Sequence, residues 1–64
     1  MSEGVGVERK IITLLDKRLL STSQIAKKLR MRREVATGYL EALVHQGKIK
    51  KEKVGRSNIY TIYR

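Results

Sequence analysis

Apolar residues at Val7, Ile11, Ile12, Leu14, Leu15 and Leu19 form one stripe of a 3.6-residue period, with Glu8, Arg9, Lys10, Asp16, Lys17 and Arg18 mostly off it. That spacing predicts an amphipathic helix over residues 7–19. Glu8 near its start and Lys17 and Arg18 near its end carry the signs that the helix dipole favours. Ser21-Thr22-Ser23-Gln24 then has the spacing of a capping box, which opens a second helix over residues 22–29 with Ile25, Ala26 and Leu29 on its buried edge. After the short linker Arg30-Met31-Arg32, the stripe Ala36, Tyr39, Leu40, Leu43 and Val44 predicts a third helix from residue 33 to 45 or 46, closed by Gly47. Arg33, Glu34, Thr37, Gly38 and Glu41 fall on or beside its outer face.

Beyond Gly47 the period changes. Residues 48–54 and 58–63 suit two short strands around a Gly55-Arg56-Ser57 loop, with Ile49, Tyr60 and Ile62 facing inward. A lone two-stranded ribbon is marginal in water, so it must pack on the helices, and Leu19-Leu20 offers a very short third strand at its edge. The expected organisation is a flexible leader over residues 1–6 and one α+β domain over residues 7–64. In it a three-helix bundle precedes a C-terminal antiparallel sheet of two or three strands.

Sixty-four residues supply one small core and no room for an enclosed substrate pocket with its own supporting layers. The chain has no cysteine, which excludes a disulfide framework, a thiolate zinc site and a cysteine nucleophile. Neither paired carboxylates with converging spacing, nor a nucleophile with an orienting acid, nor a glycine-rich phosphate loop occurs, so no enzyme, metal or cofactor is expected. His45, the lone histidine, sits at a helix C-terminus, where its charge is favoured, and reads as a surface or boundary residue. The first eight residues lack the basic start and apolar run of a signal peptide, and no stretch has the length of a membrane span, which points to the cytoplasm. Scarce Asn and Gln suit a heat-adapted source.

Charge changes the picture most. Fifteen Lys and Arg against six Asp and Glu leave +9, a field that attracts polyanions. The cations also cluster: Lys27, Lys28, Arg30, Arg32 and Arg33 lie within residues 27–33, and Lys48, Lys50, Lys51, Lys53 and Arg56 crowd the hairpin. A solvated turn, and a hairpin edge guarded by lysines, is the bland alternative. Few opposite charges stand among them to neutralise such a surface.

Two helices joined by a three- or four-residue turn, the second accessible at its N-terminal end, form the geometry that lays a helix in the DNA major groove. Residues 21–29, STSQIAKKL, resemble the second helix of prokaryotic winged helix-turn-helix regulators of the MarR and ArsR type. Residues 39–49, YLEALVHQGKI, are similar to the end of their recognition helix, and residues 51–62, KEKVGRSNIYTI, look like their wing. Covering residues 8–63, the resemblance implies a winged helix-turn-helix fold, double-stranded DNA as partner, and transcriptional regulation. Two departures stand out: Arg32 occupies the cap position of the third helix where the family usually has Ser or Thr, and Gly38 interrupts that helix on its groove-facing side. Gly38 is either a point of close approach to the backbone or a tolerated flaw.

Groove chemistry then divides the candidates. Arg33 and Thr37, with Glu34 as an acceptor from cytosine, stand for base edges. Lys27, Lys28, Arg30 and Arg32, with the amides around Ser21, Thr22 and Ser23, stand for phosphates, as do Lys51 and Lys53 of the wing. Arg56, beside Ser57 at the wing tip, would reach the minor groove or its flanking backbone. A single domain of this kind gives modest specificity, so a homodimer through the first helix and the residues before it, with Val5, Val7 and Tyr63 as contacts, suits a two-fold site. Met31 and Tyr39 read as core. The alternatives are an RNA- or ribosome-associated winged helix, for which the narrow major groove offers the third helix no bases to read, and a protein-interaction module.

Overall fold

The computed structural model describes residues 3–62, with side-chain surroundings from Gly6 onward. Three helices, α1 (Glu3–Lys17), α2 (Thr22–Leu29) and α3 (Arg33–His45), are joined by a short strand β1 (Leu20–Ser21) between the first two and followed by the hairpin β2 (Ile49–Val54) and β3 (Ser57–Ile62). The sheet is antiparallel in the order β1-β3-β2. This is the α+β bundle-and-sheet arrangement expected, with three strands.

One core joins all of it. Ile11 and Leu15 from α1, Leu20 from β1, Ile25 from α2, Leu40 and Leu43 from α3, Ile49 from β2 and Tyr60 from β3 are buried together. Each such side chain contributes about 1.5–3 kcal/mol by leaving water. Every element thus donates at least one anchor, which is what lets so small a chain, including a two-residue strand, hold together.

The chain signals its own ends. Ser21 caps α2: its Oγ accepts from the Gln24 N–H at 3.3 Å, while the Ser21 N–H donates to Gln24 Oε1 at 2.9 Å, completing the capping box. At the other end, the Met31 N–H donates to the Ala26 carbonyl and the Arg30 N–H to that of Lys27, with Arg30 at φ 55°. Helix α3 closes in the same way: Lys48 donates to Leu43 and Gly47 to Val44, with Gly47 at φ 73°. Both are Schellman motifs, the first with an arginine where glycine is the unstrained choice.

Several boundaries differ from the sequence expectation. Helix α1 begins at Glu3, so residues 3–6, expected as part of a flexible leader, are helical; Met1 and Ser2 lie outside the described residues. At the other end α1 stops at Lys17, and Leu19, expected in its buried stripe, is 62% exposed. There the backbone is already turning into β1, whose alternation sends Leu20 inward. The strand is therefore Leu20–Ser21 instead of Leu19-Leu20, with Leu20 opposite Tyr60. The hairpin is tighter than expected, since Val54 pairs with Ser57 and leaves only Gly55 and Arg56 in the turn. Gly55 has φ 61° while Arg56 does not have positive φ, the signs of a type II′ turn that matches strand twist. Met31 is half-buried, Tyr39 packs partly buried on the core, and Tyr63 lies outside the described residues.

Candidate nucleic-acid interface

Helix α3 has its core stripe on one side and its opposite ridge in solvent. Ala36, Leu40 and Leu43 are buried, whereas Arg32, Arg33, Glu34, Val35 and Gly38 are exposed. The helix start protrudes. Arg32 makes no side-chain capping bond, and the first helical hydrogen bond runs from the Ala36 N–H to the Arg32 carbonyl at 3.0 Å. The first-turn amides ahead of Ala36 therefore have no intrahelical acceptor, and the positive end of the helix dipole opens outward among arginines.

The packing of Ile49 and Tyr60 on Leu40 and Leu43 docks the hairpin on α3, and one surface ion pair marks the flank it reaches. Arg33, Thr37 and Glu41 are spaced four apart and share a flank of α3. On that flank Glu41 Oε2 lies 3.1 Å from Lys51 Nζ, which ties β2 alongside it. The hydrogen bond to Glu41, then the attraction of its charge and, more weakly, that of Tyr60, hold the Lys51 pKa above its ordinary 10.5 against a small opposing desolvation. Lys53 shares the sheet face of Lys51, because alternate residues of a strand point the same way. The middle of β2 consequently lies beside α3 at Glu41, about two turns beyond Arg33.

The remaining candidates sort unevenly. Ser23, Lys27, Arg30 and Arg56 are exposed, Arg30 in the turn before α3 and Arg56 at the hairpin tip. Ser57 is exposed but belongs to β3 and not to the turn. Thr22 is 5% exposed, so its side chain is withdrawn from any ligand and only its backbone N–H, with that of Ser23, serves as a first-turn donor. It is buried because, as the first residue after the cap, it begins the face that Ile25 and Ala26 continue. The Thr37 hydroxyl donates to the Arg33 carbonyl at 2.9 Å, which leaves an acceptor oxygen and a methyl for a base edge, but no free donor. Lys28 turns away to line a groove with Arg9, Lys10 and Leu14 of α1.

The hairpin cations divide as well. Lys50 alternates onto the sheet face opposite Lys51 and Lys53, and Lys48 lines a shallow depression with Glu8, Arg9 and Ile12 of α1. Lys27, Arg30, Arg32, Arg33, Lys53 and Arg56 are thus all exposed cations, while Lys51 is paired with Glu41. Sequence reasoning singled out neither that ion pair nor the 45% exposure of Val35. The signal for Val35 was present: it stands off the stripe of Ala36, Leu40 and Leu43. Among the described residues no cluster of His, Cys, Asp or Glu has the arrangement of a metal site, and no helix is long and apolar enough to cross a membrane.

No family model matches the chain, nor does any curated protein sequence. Solved structures do. The homodimeric winged helix-turn-helix DNA-binding domain Mb0332 of Mycobacterium bovis, described as a possible ArsR-family transcriptional regulator, superimposes with a TM-score of 0.88 at 25% identity, over 92% of this chain and 55% of that one. HlyU from Vibrio cholerae N16961 gives 0.87 at 19% identity over 92% and 64%, and a double mutant of ZitR from Lactococcus lactis in apo form gives 0.87 at 22% over 95% and 48%. The chain has the winged helix-turn-helix fold. In its terms α2 and α3 are the helix-turn-helix, α3 takes the position of the recognition helix, and β2–β3 is the wing. The chain spans less than two thirds of the length of each of these three structures.

Proposed function

We propose that the chain binds double-stranded DNA as a small transcriptional regulator in the cytoplasm. The observation that carries this reading is the exposed, uncapped start of α3 between the Arg30–Arg32 turn and a wing tied to the same flank by Lys51 and Glu41. The protruding half of α3 enters the major groove, where Arg33 donates to guanine, Glu34 accepts from cytosine, and Thr37 offers its methyl and oxygen. Arg30, Arg32 and Lys27, with the amides of Thr22 and Ser23, hold phosphates. Lys53 and Arg56, and to a lesser degree Lys51, bring the wing to the backbone or minor groove. The +9 charge supplies the long-range attraction.

Two copies joined through α1 would read a two-fold site. The Mycobacterium bovis neighbour, described as homodimeric, and the half-buried Val7 and Ile12 on α1 favour that arrangement. A monomeric mass in ultracentrifugation at high micromolar concentration rules it out.

The function is tested by selection from a random duplex pool, followed by affinity against salt for the winner and for scrambled DNA. Arg33→Ala is expected to erode discrimination by about 1–3 kcal/mol, whereas Arg56→Ala weakens both duplexes alike and lowers the salt slope by about one. Failure to bind any duplex of about 20–30 base pairs, two half-sites long, at low salt overturns the proposal.

A further inference from the structure

A groove of about 510 Å³ runs between α1 and the C-terminal end of α2 and takes in no residue of α3 or the wing. Its floor is Leu14 and Leu29, both half-buried, and its walls carry Arg9, Lys10 and Lys28, all exposed. Thr13 adds little polarity, because its hydroxyl is turned back onto the Arg9 carbonyl at 2.9 Å. Gly6 keeps the upper end low, with open space where a Cβ would stand. None of the lining residues is acidic.

We infer that this groove docks an acidic, amphipathic helical segment of a partner protein, its apolar side chains on Leu14 and Leu29 and its carboxylates against Arg9, Lys10 and Lys28. Three observations select that occupant. The groove is open to solvent, so a small anion would stay largely in water, whereas ligand pockets enclose most of their ligand. Its length, from Gly6 to Leu14, is about 12 Å at helical rise, matching two turns of a docked helix with anchors at i, i+3 or i+4, and i+7. Finally, a second copy of this +9 chain would bring like charge to a rim that is wholly cationic, which disfavours self-association there. Of the two α1 residues suggested for the dimer, Ile12 is about 200° around the axis from Leu14, whereas Val7 is on the same side as Leu14. The inference does not depend on the chain reading DNA.

The test uses the whole chain and a fluorescent helical peptide of about 15 residues, leucines at the anchor spacing and glutamates beside them, with a scrambled peptide of equal composition as control. Saturable binding of the periodic peptide and weak binding of the scrambled one are expected. The double variant Arg9→Glu with Lys10→Glu should weaken the complex about tenfold or more while duplex binding and the circular dichroism spectrum persist. A second variant of equal net charge, Lys53→Glu with Arg56→Glu, should leave peptide binding intact. Equal affinity for both peptides, indifference to the α1 reversals, or displacement of the peptide by duplex DNA overturns the inference, the last by placing the peptide on the DNA face. Retention of a long-chain carboxylate at Leu14 with no peptide binding overturns it in favour of a small amphiphile.

Discussion

Gly38 is the sixth of the thirteen residues of α3, on its exposed ridge, with ordinary helical backbone and nothing within 4 Å of the position its Cβ would take. Replacing it with alanine therefore adds a methyl in open space. No neighbour has to move, and no packing is gained. What changes is the backbone entropy lost on folding and the hydration of the helix, a difference of about 0.8–1.0 kcal/mol in favour of alanine. For a domain of this size that raises the melting temperature by about 4–8 °C, a substantial fraction of a total stability of about 3–10 kcal/mol. Thermal and urea melts of Gly38→Ala, followed by circular dichroism, measure it directly. No rise, or a loss, would refute the reasoning, because it would mean that the ridge at Gly38 is covered or departs from helical geometry in solution. Duplex affinity measured on the same variant tells why glycine stands there. Affinity within about twofold of the parent marks a tolerated flaw, whereas a loss of about tenfold alongside higher stability marks close approach of a sugar-phosphate strand.

Other substitutions probe the remaining devices. Arg30 holds a left-handed conformation that costs a non-glycine residue about 1 kcal/mol, so Arg30→Gly should raise the urea midpoint while weakening DNA of any sequence; a lower midpoint would refute the strain. Ser21→Ala removes the side-chain half of the capping box and should cost about 1 kcal/mol in the same melt, with unchanged stability as the contrary result. The Lys51 pKa is raised on folding, so the stability it contributes is present below the unfolded value near 10.5 and is lost as pH rises through the higher folded value. A side-chain NMR titration should place the Lys51 midpoint above 10.5 in the parent and lower it in Glu41→Gln; no difference between the two would show that the ion pair does not persist in solution.

Much of this molecule was written locally. The stripe Ile11, Leu15, the capping box at Ser21 and Gln24, the stripe Ala36, Leu40, Leu43, and the left-handed position at Gly47 each declare an element through neighbours a turn or less away, and all are where periodicity and capping chemistry put them. The cationic turn from Lys27 to Arg33 was legible too, because its residues are adjacent in the chain. Sequence was silent wherever a side chain's surroundings come from distant residues. That Leu19 faces water while Leu20 meets Tyr60, that Thr22 is buried, that Lys51 reaches Glu41, and that Lys28 and Lys48 turn toward α1 all follow from how the sheet and helices dock. Periodicity reports which side of an element avoids water, since that depends on the element's own residues. Which neighbour covers the other flanks, and hence which cations share a face, depends on contacts between segments far apart along the chain, and those exist only once the core has closed.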